Sequence, residues 1–281
     1  MTITIPERYN YIGIFLTLRC NLKCPYCINK HSTLEERKEI DGDSWVKVLN
    51  DLDISNDLVI TLEGGEPTLH KDFYNIIKNV KKPVDMLTNL EFNVDEFIEH
   101  IDPRFFSFGR KIGYKSIRVS YHYQNQVELL DKAVKLQKEG FNIGIFSANF
   151  PDKIEKNMEM SERCRKAQMY FYTKDFLGYH NERLYGYYKY PEAVKNNIKM
   201  TKYCRIKELL VAPDGNCFKC HRDLYANENN IGNMTEENYN VKDIFRECSN
   251  FGDCSPCDIK LKTNRFLEMG SCSVEIKDKE N

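Results

Sequence analysis

What most constrains the fold is a regular alternation, between residues 11 and 175, of short apolar β-rich runs with amphipathic helical stretches. "YIGIFLTL" (11–18) reads as a buried strand, "DGDSWVKVLNDL" as a helix capped by Asp41 or Asp43, and "DLVITLEGGEP" as a second strand ending in two glycines and a proline. "FYNIIKNV", "KPVDMLTN", "VDEFIEHI" and "KSIRVSY" continue as helix, strand, helix and strand. "QVELLDKAVKLQKEGF" is a helix with Val127, Leu130 and Val134 on one face and Gly140 as its stop. "NIGIFSANF" and "AQMYFYT" add two strands around a helix near 152–164. Such alternation implies right-handed βαβ units and an α/β fold whose parallel sheet carries its chemistry at the carboxyl ends of the strands.

With 41% hydrophobic and 12% aromatic residues, the 281-residue chain can build a sizeable core. Its formal charge of -1, with no stretch more basic than "KNVKKP" (78–83), leaves no electrostatic footprint for nucleic acid or an anionic membrane. "MTITIPERYNYIG" lacks the basic-then-apolar layout of a signal peptide, and no apolar run approaches the roughly eighteen residues of a membrane span. A cytoplasmic location is therefore expected. In a reducing compartment eleven cysteines, an odd number, point to metal or redox chemistry rather than to a disulfide framework.

Three of them, Cys20, Cys24 and Cys27, follow the first strand in "RCNLKCPYC" with the spacing C-x3-C-x2-C. One short loop wraps three thiolates around one face of an iron–sulfur cluster and leaves one iron open for another molecule. The spacing, with Tyr26 just before the last cysteine, resembles the signature of the radical S-adenosylmethionine (SAM) enzymes. "LEGGEP" (62–67) is similar to that family's glycine-glycine-glutamate motif. The resemblance implies that Gly64 and Gly65 let the backbone approach SAM and that the Glu66 carboxylate accepts the methionine ammonium. It makes Tyr26, Asn89 in "LTN" and Ser120 in "RVSY" further SAM contacts, with strand-end capping as the alternative for the last two. Many relatives carry an aspartate two residues after that serine; here it is His122. The implied architecture is a partial (β/α)6 TIM-like barrel with a small C-terminal cysteine-rich metal-cluster domain.

Cys204, ten residues, Gly215, four residues and Cys220 fit the opening of the auxiliary-cluster regions called SPASM and twitch, and Cys254-x2-Cys257 follows. The shorter twitch arrangement matches better, with Cys204, Cys220, Cys254 and Cys257 holding a second 4Fe–4S cluster. A zinc ribbon built on Cys217-x2-Cys220 and Cys254-x2-Cys257 is the rival. Cys164, Cys248 and Cys272 read as buried thiols, with Cys217 and Cys272 also weighed as hydrogen-atom donors. The expected division is 1–175 barrel, 176–203 a tyrosine-rich connection covering the domain junction, 204–272 an auxiliary-cluster unit with no core of its own, and 273–281 a disordered tail.

The resemblance implies reductive cleavage of SAM to a 5'-deoxyadenosyl radical that takes a hydrogen atom from a small-molecule or peptide substrate, with flavodoxin or ferredoxin as electron donor. Two-electron oxidation through an auxiliary cluster, peptide maturation and epimerisation compete. Many peptide maturases carry a leader-binding domain before the barrel, and here the first strand begins near Tyr11, which lowers that reading. A metal-dependent binding scaffold without catalysis is the non-enzyme alternative. Lys174, Asp175 and His180 are general-base candidates by location alone.

Overall fold

The structure, a computed structural model, describes residues 2–27, 37–55, 58–106, 114–123, 128–194, 199–261 and 271–278. Six strands, β1 (Tyr11–Thr17), β2 (Ile60–Gly64), β3 (Val84–Thr88), β4 (Ile117–Tyr121), β5 (Ile143–Asn149) and β6 (Phe171–Asp175), lie side by side in chain order. Every adjacent pair among them is parallel. Helices α1 (Gly42–Asp51), α2 (Phe73–Asn79), α3 (Val94–His100), α4 (Leu129–Lys138) and α5 (Ile154–Lys166) occupy the connections. This is the expected partial barrel.

Side chains alternate along each strand, and β1 is buried on both faces. Ile12, Ile14 and Leu16 join the larger core with Trp45 and Leu49 of α1, Ile76 of α2, Phe97 of α3 and Leu136 of α4. Tyr11 and Phe15 face the other way, into a second cluster with Leu210, Phe218, Leu224 and Tyr225. Asp41 caps α1, accepting the Ser44 N–H at 2.9 Å. Helix α4 buries Leu129, Leu130, Ala133 and Leu136. Val134, expected on that face, is only half-buried because the sheet-facing stripe runs through 129, 133 and 136; Val127 lies outside the described residues. Gly140 stops α4 with φ +94.

The C-terminal part departs from the expected division. β7 (Met200–Ile206) is the middle strand of a small antiparallel sheet, between β10 (Arg246–Phe251) and β11 (Val274–Lys277). Between β7 and β10 the chain returns to the main sheet: β8 (Glu208–Val211) pairs parallel with β1, and β9 (Cys217–Phe218) pairs antiparallel with β8. "KELLVAPDGNC" is thus a strand-turn-strand unit, but it extends the barrel sheet to eight strands and does not belong to a separate body. Val274–Lys277 is a paired strand rather than disordered tail, because its backbone completes the edge of β7. The small sheet has an apolar cluster of its own, in which Cys204, Cys248 and Cys272 pack with Phe251, Ile259 and Val274.

In the tyrosine-rich connection, Gly178–His180 and Arg183–Tyr185 form a hairpin. The Tyr188 hydroxyl accepts the Gly178 N–H at 2.9 Å, and Tyr188 and Tyr190 pack against the small apolar cluster. These tyrosines thus cover one side of the small sheet's apolar cluster. Among the described residues, no helix is long and apolar enough to cross a membrane.

Candidate functional site

The cysteine loop leaves β1 at a tightly fixed point. Gly65 N–H donates to Thr17 O at 2.9 Å and Glu66 N–H to Arg19 O at 2.8 Å, tying the end of β2 to the base of the loop. A Cβ on Gly64 would lie 2.0 Å from Thr17 O, and one on Gly65 2.0 Å from Arg19 O. The two glycines are therefore required by contact between two backbones. Arg19 clamps the same corner, donating to both Glu39 oxygens at 3.0 Å and to Leu69 O at 2.8 Å.

Within the loop, Cys27 N–H donates to Cys24 O at 3.1 Å, a turn that brings the thiols together. Cys20 is exposed; Cys24 and Cys27 are half-buried. Burial, reinforced by Cys27 and Cys20, pushes the Cys24 thiol up to about 12. Three neighbouring thiols resist joint ionisation without a cation, and a cationic iron–sulfur core removes that conflict, so this donor set fits the cluster the resemblance implies.

Glu66 is wholly buried. Its carboxylate accepts from Thr68 Oγ1 at 2.7 Å, Thr88 Oγ1 at 2.9 Å and Asn89 N at 2.7 Å. Both oxygens thus join the turn after β2 to the end of β3. Asn89 Nδ2 donates to Asn21 Oδ1 at 2.7 Å and reaches Cys20 Sγ at 3.7 Å, placing this expected contact against the loop. Ser120 sits half-buried at the end of β4. The Tyr26 hydroxyl hydrogen-bonds His122 Nδ1 at 3.1 Å, and its ring packs on Phe150 at 5.1 Å between centroids. Burial holds His122 down to about 4, so its imidazole is neutral at pH 7.

Inside the barrel, Glu63 Oε1 accepts the Tyr11 hydroxyl at 2.9 Å, in space left by Gly13, whose Cβ would lie 2.1 Å away. The Phe15 ring meets the rings of His221 and Tyr225 edge-on at 6.3 and 5.9 Å. His221 Nδ1 lies 2.8 Å from Asp258 Oδ1. Tyr225 is within electrostatic reach of Glu63, Cys257 and Cys27, and its ring lies 6.3 Å from that of His221. The sequence reading missed Glu63, His221 and Tyr225; the available signal was His221 directly after Cys220. Of the general-base candidates, Lys174 lies over the Phe146 ring, Asp175 at the exposed end of β6, and His180 beside Asp152 and Phe150.

Among the described residues no two cysteines form a disulfide. Cys204, Cys220, Cys248 and Cys254 line one cavity with Lys219 and Asp223. Three of the four expected auxiliary ligands are therefore brought together, and Cys257 is not among the lining residues. Cys217 is buried in the main core with Met234 and Tyr239, because β9 turns it away from the cavity, so the four cysteines of the zinc ribbon are not assembled. Among the described residues no three His, Cys, Asp or Glu side chains converge on a single-ion site. Cys164 is buried on α5, and the Cys272 thiol donates to Asp258 O at 3.5 Å. Cys217 in the main core and Cys272 in the small sheet's cluster, the two weighed as hydrogen-atom donors, both lie outside the cluster that Tyr11 and Phe15 form.

A model of the Radical SAM superfamily matches residues 14–169, more than half of the chain. The PqqA peptide cyclase of Bradyrhizobium diazoefficiens is 40% identical over 75 residues, 27% of this chain and 20% of the relative. The tungsten-containing aldehyde ferredoxin oxidoreductase cofactor-modifying protein of Pyrococcus furiosus is 31% identical over 124 residues, 42% of this chain and 33% of the relative. The matched stretches thus span a fifth to a third of these curated relatives. SuiB of Streptococcus suis superposes over 83% of this chain and 64% of its own with a TM-score of 0.57 at 15% identity, a likeness of fold. A family match across β1 to α5, including the loop that carries Cys20, Cys24 and Cys27, means that this chain belongs to the radical SAM superfamily.

Proposed function

We propose that this chain is an enzyme that uses SAM and a 4Fe–4S cluster held by Cys20, Cys24 and Cys27 to remove a hydrogen atom from a peptide, and that it completes a two-electron oxidation with a second cluster. The single observation that carries the reading is the three-thiol loop fixed to the ends of β2 and β3 through Gly65, Glu66 and Asn89. When bound, the first cluster and SAM supply a 5'-deoxyadenosyl radical at the cost of one electron from an external donor such as a flavodoxin or ferredoxin.

The chain's own residues position and enclose. Tyr26, packed on Phe150, supplies an apolar wall, while Asn89 and Ser120 offer polar contacts at neighbouring strand ends. Gly64, Gly65 and Glu66 keep the main chain of that corner in place. Oxidation of the substrate radical releases one electron and one proton. A second cluster held by the Cys204 group would supply the acceptor for that electron, and Glu63, inside the barrel and bonded to Tyr11, is the carboxylate placed to accept the proton. A peptide is favoured as substrate by the likeness to peptide cyclases.

The test is anaerobic reconstitution and reduction with dithionite, followed by SAM and candidate peptides deuterated at the side-chain carbons. Deuterium in 5'-deoxyadenosine supports the reading. Transfer from small alcohols or thiols but from no peptide overturns the substrate class.

A further inference from the structure

We infer that the fourth ligand of the second cluster is Cys248, and that Cys257 is not a ligand. The inference rests on the reading that this region holds a cluster at all. The cavity is lined by thiols from four separate places: Cys204 on β7, Cys220 at the start of α6 (His221–Ala226), Cys248 on β10, and Cys254 in the turn before α7 (Pro256–Ile259).

Register puts two of them on one face. Lys202 pairs with Cys248 and Cys204 with Arg246, so Cys204 and Cys248 are diagonal neighbours on adjacent antiparallel strands. Their thiols hydrogen-bond each other, and Cys204 is also within electrostatic reach of Cys254 and Cys220. Cys254 is fixed by its N–H to Ala193 O at 2.9 Å. Cys220 Sγ accepts the Asp223 N–H at 3.4 Å, a bond suited to a thiolate.

Cys257 is turned away by helix geometry. Asp258 and Ile259 line the cavity, and consecutive residues step about 100° around a helix, so Cys257 falls on the far side of α7. Its neighbours there are Tyr188 and Tyr225. The C-x2-C pair that sequence spacing singles out is therefore split.

The cavity also carries a buried cation. Lys219 is 5% exposed, lines the cavity and pairs with Asp223. Arg222 and Asp258 line the cavity as well, so the charged groups around the four thiols are two cations and two carboxylates. Four thiols ringing a cavity, rather than meeting at one point, suit a cluster several atoms wide better than one tetrahedral ion.

The test uses full-length protein with Cys20, Cys24 and Cys27 all changed to Ala, so that only the second cluster remains, reconstituted anaerobically. Iron, sulfide and zinc are counted, and the reduced sample is examined by electron paramagnetic resonance. About four irons per chain are expected in this background. Adding Cys257→Ser leaves the count and the signal unchanged, whereas adding Cys248→Ser loses essentially all of both, with the circular dichroism spectrum of the parent. Loss of the cluster in the Cys257 variant, or its retention in the Cys248 variant, overturns the inference. Because the Cys257 arm requires retention of a signal, misfolding of the Cys248 variant does not decide the result. No iron in the triple-alanine background, with wild type holding about four, removes the second cluster itself and the inference with it.

Discussion

The Glu66 carboxylate accepts the Asn89 backbone N–H at 2.7 Å, and Asn89 in turn reaches Cys20 Sγ, so the ends of β2 and β3 are fixed against the cysteine loop by one buried acid. Glu66→Ala leaves that N–H and the Thr68 and Thr88 hydroxyls without their acceptor. A loss of about 2–4 kcal/mol in urea unfolding is expected, along with lower iron content. Glu66→Gln, which keeps one accepting oxygen, costs less. Equal stability of the alanine variant and wild type contradicts the role given to this carboxylate.

Gly65→Ala tests the contact between the two backbones. Its Cβ would stand 2.0 Å from Arg19 O and 2.5 Å from Leu18 O, and main chain on both sides leaves no flexible group to yield. Reconstituted iron at the first loop is expected to fall severalfold while the circular dichroism spectrum keeps its α/β form. Unchanged iron contradicts the account of this glycine.

His122 gives a pH dependence with a definite sign. Burial lowers its pKa from 6.5 to about 4, so the folded protein binds fewer protons than the unfolded chain in this window. The corresponding stability is complete above the unfolded value and is lost as pH falls toward the folded one. Between pH 7.5 and 5 the loss is about 2 kcal/mol. His122→Phe is expected to flatten the urea midpoint's pH dependence by that amount; parallel curves for variant and wild type contradict it.

The strands, the helices and the first cysteine loop were legible in the sequence because their signals are local: apolar alternation, caps such as Asp41, and three cysteines within eight positions. What was not legible is decided by tertiary contact. Spacing pairs Cys254 with Cys257, yet the register of β7 on β10 sets Cys248 beside Cys204. Likewise the run 208–211 carries no mark that it pairs with β1 rather than with its sequence neighbours. The exposed look of a glutamate after two glycines hides that Thr68, Thr88 and Asn89 enclose it. Glu63 and His221, far apart in sequence, are brought within reach of each other and of Tyr225 only by the fold.

Glu63→Gln separates radical generation from substrate oxidation. The amide keeps the shape and an acceptor for Tyr11 but cannot take the substrate proton. Formation of 5'-deoxyadenosine is expected to persist near the wild-type rate while oxidised peptide falls at least tenfold, about 1.4 kcal/mol in barrier. Loss of both in proportion assigns Glu63 to the fold instead.

The most direct measurement is 5'-deoxyadenosine formed from SAM by reconstituted, dithionite-reduced wild type beside Cys24→Ala. Production by wild type and none by the variant, together with loss of the reducible 4Fe–4S signal from the first loop, is the expected result. Wild type that yields no 5'-deoxyadenosine, or a variant that yields as much, contradicts the claim that Cys20, Cys24 and Cys27 hold the radical-generating centre.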